Sequence, residues 1–199
     1  MQPRAVATIE AILEATAHIL IARGYAKLTT NHVAVRAGVS IGSIYQYFPS
    51  KEALVAALVD RHLERMWAVV AAEMARASDE AFPQAARRII GALIRVHMVN
   101  PPLHRAVLAH VPHVGRTDKI REIDRQFEAL LRTTLDARAK ELDVEDTRLC
   151  AFLTVQSVKA ATMTAVFERP EFLRDERLAD ELARMFVRYA TKRPARPRG

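Results

Sequence analysis

Apolar residues recur at three- and four-residue spacing along most of this chain, the period of α-helices that each turn one face inward. Ile9, Ile12, Leu13, Thr16, Ala17 and Leu20 predict an amphipathic first helix, and Gly24 supplies its left-handed stop. Leu28 packs the connection. Thr29 stands as the N-cap of a second helix, Thr30–Ala37, whose inward face is Val33, Ala34 and Ala37. A third short helix is expected over Ile41–Phe48. From Ser50 a long fourth one carries Leu54, Leu58, His62, Met66 and Val70 in one row, with Val55, Val59, Leu63 and Trp67 beside it, as far as Arg76. Further helices are expected over Phe82–Met98, Leu103–Val111, Asp118–Leu142, Asp146–Glu168 and Asp175–Thr191, separated by breaks at 77–80, at Asn100-Pro101-Pro102 and at Arg169-Pro170. The expected fold is all-α, with about nine helices and no strand.

Composition narrows the classes. With six glycines and few aromatics, the chain is suited to helices rather than sheet. Its one cysteine, Cys150, permits no internal disulfide, which fits a reducing cytoplasm. No signal peptide is read at the N-terminus, and every candidate bilayer-spanning run is cut by Arg, His or Glu, so no membrane partner is expected. The formal charge of +7 invites a nucleic-acid partner. Much of that excess sits in Arg188, Lys192, Arg193, Arg196 and Arg198, where no acid balances it. Residues 192–199 are therefore read as a basic, flexible tail.

The segment Ala37-Gly38-Val39-Ser40-Ile41-Gly42-Ser43-Ile44-Tyr45-Gln46-Tyr47-Phe48-Pro49-Ser50-Lys51-Glu52 carries the functional signal. A glycine turn joins two short helices, Ser40 caps the second, and Ser50 caps the next with Glu52 in its first turn. Two helices so joined are the shape that lays a helix into a DNA major groove. Gln46 can bond adenine bidentately, Ile41 can touch a thymine methyl, Gly42 permits close backbone approach, and Ser43 shares that face. Thr29, Thr30, Tyr45 and Tyr47 offer hydroxyls to phosphate oxygens, and Lys51 adds a point charge. Ile44 and Phe48 are expected to be core pins against Val33, Val39 and the first helix.

Over residues 9–67 the chain resembles the TetR/AcrR family of transcriptional regulators. The matching positions are Gly24-Tyr25, Thr29, Ala37-Gly38-Val39-Ser40, Gly42, Tyr45, Tyr47-Phe48, Ser50-Lys51-Glu52 and Leu54. The resemblance implies a three-helix DNA-binding unit over 1–50 and a helical effector-binding and dimerisation body over 51–191. It also implies a homodimer on a double-stranded, palindromic operator, acting as a repressor and released by a small hydrophobic effector.

For the body, inward rows nominate Met66, Trp67, Val70, Met74, Ile94, His97, Met98, Phe127, Leu131, Phe152, Gln156 and Met163 as lining an effector site. Phe152, Val155, Val158, Thr162, Val166, Leu182, Met185, Phe186 and Tyr189 suit a two-helix face that pairs with its twin as a four-helix bundle. Of His97, His104, His110 and His113, the last two are three apart, but Pro112 between them disrupts a shared ligand geometry, so no metal and no cofactor are expected. No catalytic residues are assigned and no enzyme is expected. The alternative is an all-helical enzyme or small-molecule carrier that uses the body pocket.

Overall fold

The structure, a computed structural model, describes residues 3–98, 100–111 and 113–191; Pro112 and the basic tail expected over 192–199 lie outside the described residues. Ten α-helices are described: α1 Pro3–Arg23, α2 Thr30–Ala37, α3 Ile41–Tyr47, α4 Lys51–Arg76, α5 Phe82–Met98, α6 Pro101–His110, α7 Thr117–Ala137, α8 Thr147–Phe167, α9 Pro170–Leu173 and α10 Arg177–Ala190. Among the described residues there is no strand. The all-α reading therefore holds, with one short helix, α9, in what the sequence presents as a break.

Local chemistry explains most of the ends. Thr29 Oγ1 accepts from the His32 amide at 3.2 Å, Ser50 Oγ from Ala53 at 3.2 Å, and the Asp146 carboxylate from Arg148 and Leu149 at 2.8 and 3.0 Å. The bond from the Leu149 amide, foremost, holds the Asp146 carboxyl below its ordinary value. Asn100 differs from expectation. Its Oδ1 accepts from Leu103 at 3.0 Å, and Pro101 and Pro102 occupy the first two positions of α6. First-turn N–H groups have no intrahelical acceptor, so prolines there open a helix rather than only ending one.

The chain forms two compact units, 1–65 with 100–120 and 66–99 with 121–199. This division differs from a cut at residue 50. The first part of α4 belongs to the N-terminal unit because Leu54, Val55, Leu58 and Val59 are fully buried there, as is Val107 of α6. Polar contacts accompany that packing: Arg116 Nε donates to both Asp60 oxygens at 2.9 and 3.0 Å, and Glu10 Oε2 accepts from Arg61 and Arg65 at 2.7 and 3.1 Å. The second unit buries Val70, Ile90, Leu131, Leu135, Val158 and Phe186 in one apolar cluster, in which the Phe82 and Phe186 rings meet edge to face at 5.5 Å.

By length and composition alone, α1 and α8 are long and apolar enough to cross a bilayer. Glu10 and Glu14 interrupt α1, and Lys159 interrupts α8. Each helix also buries part of its length within its own unit, as the core helices of globular domains do.

Two predictions arise here. Gly38 holds φ +67°, so Gly38→Ala should destabilise the chain by about 1–2 kcal/mol. Gly42, helical with only Ser40 Oγ near a built Cβ at 3.7 Å, should accept Ala without loss. Urea unfolding of both variants checks the contrast, and equal effects would refute it. The second concerns His62, whose Nε2 lies 2.7 Å from His104 Nδ1. Burial, then the charges of Arg61 and Arg65, push His62 down from 6.5 to about 4. The unfolded chain binds this proton more readily, so stability is full above about pH 6.5 and is lost as pH falls toward 4, by on the order of 3 kcal/mol. Urea midpoints across that window should fall less for His62→Gln than for the wild type; parallel curves would remove His62 as the cause.

Candidate nucleic-acid interface

The turn before α3 is built by backbone bonds. Gly38 takes the left-handed conformation (φ 67°, ψ 32°), its amide donates to Val35 O at 3.4 Å, and the Val39 amide donates to Ala34 O at 3.1 Å. Ser40 then caps α3, its Oγ accepting from the Ser43 amide at 3.0 Å while its carbonyl accepts from Ile44 at 3.2 Å. Ile44 is 0% exposed, and Phe48, at the C-cap, is buried with it. The expected core pins are thus inward, together with a fully buried Val33.

The remaining α3 positions look outward. Ile41 and Tyr45 are 40% and 54% exposed, Gly42 and Gln46 are exposed, and Ser43 and Tyr47 are half-buried. Two expected donors are already engaged. Ser43 Oγ lies 2.9 Å from Ser40 Oγ, inside the cap. Thr30 Oγ1 lies 3.3 Å from Tyr45 Oη, which brings the start of α2 and the face of α3 together. Thr29, exposed, spends one lone pair on its own cap.

Lys51, at the start of α4, sits with Nζ 4.2 Å from the centre of the Tyr25 ring. Tyr25 Oη donates to Glu52 Oε1 at 3.0 Å. Partial burial, then this carboxylate, raises the Tyr25 hydroxyl above its ordinary value, while Glu52 is held low by its own backbone amide, Tyr25 and Ser50. Tyr25 also meets the His110 ring at 4.9 Å. Sequence reading placed Tyr25 in the motif without a role, because its partners lie 27 and 85 positions away. It also missed Val35 of α2, 83% exposed beside this surface.

Gly38-Val39-Ser40-Ile41-Gly42 matches Gly-x-Ser-x-Gly, the spacing of a hydrolase nucleophile elbow. That elbow is a strand-to-helix turn, whereas here the serine caps a helix after another helix and bonds Ser43. The match is one of letters.

In the second unit Met66, Val70, Met74, Ile94, Phe127 and Leu131 share the apolar cluster, and Trp67 meets Phe127 at 4.8 Å. His97 is buried, Gln156 Nε2 donates to Glu128 at 3.0 Å, and Met163 is half-buried. Ile94 and Met98 also line an open groove of about 890 Å³. Phe152 requires correction as an interior residue: it is 46% exposed, because its helical phase opposes that of Cys150 and Val158.

The pairing face needs a similar correction. Val158, Thr162, Val166, Leu182 and Phe186 are buried within the one chain, so they offer no surface to a twin. The outward large apolar residues of α8 and α10 are Leu149, Phe152, Leu153, Phe167, Met185 and Tyr189, with Val155 half-buried. No group of three or more possible metal ligands is present among the described residues.

The family of bacterial regulatory proteins of the tetR type matches residues 12–58, and the tetracyclin repressor-like C-terminal domain matches residues 81–189. Among curated relatives, the HTH-type transcriptional repressor KstR of Mycolicibacterium smegmatis is 32% identical over 55% of this chain. The chain spans about half of that protein's length, 55%. The nucleoid occlusion factor SlmA of Vibrio vulnificus is 28% identical over 74% of this chain and 78% of its own. Among solved structures, a TetR-family transcriptional regulator from Mesorhizobium loti superposes with a TM-score of 0.77 at 20% identity, covering 96% of this chain and 100% of that one.

Proposed function

The chain belongs to the TetR family of bacterial regulatory proteins, and on that premise we propose that it is a homodimeric transcriptional repressor, released from a palindromic operator by a small hydrophobic effector. DNA-binding regulation is the family's work; repression, a palindromic operator and effector release are proposed for this chain. The observation that carries the reading is the outward face of α3, pinned by Ile44 and leaving Ile41, Gly42, Tyr45 and Gln46 exposed. Ile41, Gly42, Ser43 and Gln46 face base edges, and Thr29, Thr30, Tyr45, Tyr47 and Lys51 hold phosphates.

Dimerisation is supported by α8 and α10, which pack together within the second unit and leave Leu149, Phe152, Met185 and Tyr189 exposed. Twofold symmetry of that pairing suits two half-sites. The effector enters among Met66, Trp67, Met74 and Phe127, whose flexible and aromatic side chains adapt to an apolar guest. It acts by preferring one spacing of the DNA-binding units, which lowers operator affinity by its differential affinity for the two states. A DNA partner fits a cytoplasmic location, and the role as proposed needs no catalysis and no cofactor. The name of KstR, a transcriptional repressor, favours repression over other outcomes of DNA binding.

A labelled fragment from beside the gene should bind tightly, with affinity falling steeply as salt rises. Gln46→Ala should cost about 1–3 kcal/mol at one base-pair position and relax preference there. Tyr45→Phe should weaken all sequences alike. Salt-insensitive binding would count against the whole reading, and an unchanged preference in Gln46→Ala against the base contact. In sedimentation, Phe152→Glu or Met185→Lys should yield monomers; an intact dimer would move the interface elsewhere.

A further inference from the structure

The groove of about 890 Å³ in the second unit runs between α5 and the corner formed by α9 and α10. Its apolar lining is Gly91, Ile94 and Met98 on one side and Leu173 and Ala179 on the other. Four arginines also line it. Two of them are neutralised within the chain: Arg87 pairs with Asp180, and Arg88 with Glu80, Nε to Oε1 at 2.7 Å. For Arg95 and Arg174 no carboxylate partner is found among the described residues.

Arg95 is held in an unusual way. Its Nη1 lies 2.8 Å from the point where a Cβ on residue 91 would stand, with Cζ at 3.7 Å and Nη2 at 3.9 Å. The guanidinium therefore lies back one turn along α5, in space that any residue but glycine would fill. Gly91 costs helix stability of about 0.5–1 kcal/mol relative to alanine, and it gives the Arg95 head room to lie against the helix. An uncommitted planar fork beside an apolar floor recognises a planar anion attached to an apolar chain.

We propose that this groove binds a monovalent organic anion, a carboxylate carrying a short apolar chain, with Arg95 as the anchor of the charged end. A multiply charged phosphate is disfavoured because Glu176 also lines the groove and repels a second negative charge, whereas Asp175 and Asp180 are already paired with Arg177 and Arg87. The chain of the ligand covers Ile94, Met98, Leu173 and Ala179. This site is distinct from the interior set assigned to the effector, with which it shares only Ile94 and Met98. It stands or falls independently of DNA binding.

The full chain is titrated calorimetrically with octanoate, 1-octanol and octyl phosphate. Octanoate should bind, with the alcohol and the phosphate each weaker by about tenfold or more. Arg95→Ala should weaken octanoate about tenfold, and Arg95→Lys should recover only part of that loss. Gly91→Ala, which displaces the guanidinium while favouring the helix, should weaken octanoate without lowering the melting temperature. Arg184→Ala, on α10 and paired with Glu181 at 3.0 Å, should change nothing. No octanoate binding at millimolar concentration, equal binding by Arg95→Ala, or equal affinity for octanol or octyl phosphate would each overturn the assignment.

Discussion

Seven residues cannot hold a helix in water by backbone bonding alone, so what the N-terminal unit presents depends on how α3 is pinned. Within α3 only Ile44 is buried, and Phe48 at its C-cap is the second anchor. Ser40 supplies the start, and Gly38 sets the angle at which the chain arrives. A helix held by so few inward contacts has most of its circumference free. That geometry is wasteful for a structural element and suited to one that reads another surface.

The same economy explains the role of α4. Its first part is buried in the N-terminal unit and its remainder belongs to the second, so one continuous helix is common to both. The ion pairs that decorate its first half, Glu10 with Arg61 and Arg116 with Asp60, are partly exposed and individually worth little stability. Their effect is on direction. Together with the His62–His104 contact they fix which face of α4 meets α1 and α6.

What was legible in the sequence was local. Thr29, Ser40 and Ser50 cap helices through bonds that span three residues, so their chemistry is visible wherever the residue type and the following pattern occur together. Burial of Ile44 and Phe48 was legible for the same reason, since period and cap fix the phase. Tyr25 with Glu52, Arg116 with Asp60 and His62 with His104 were not, because their partners are 27 to 56 positions apart and are chosen by packing. Helix α8 misled the pairing face for another reason. It is apolar on both sides, Cys150 and Val158 inward and Leu149, Phe152 and Leu153 outward, so periodicity alone assigns no inner face.

That two-sidedness also separates the outer surfaces of the second unit by what they tolerate. Leu149, Phe152, Leu153, Phe167, Met185 and Tyr189 are each exposed, and apolar area left in water carries a free-energy cost that a covering partner would remove. The groove beside α5 is different, because it is lined by charge and Arg87 and Arg88 are already neutralised within the chain. Only Arg95 and Arg174 remain to recognise anything, and a charge held in water exchanges its ligand readily. The exposed apolar residues of α8 and α10 and the groove beside α5 share no residue, so one small unit can carry both surfaces without competition between them.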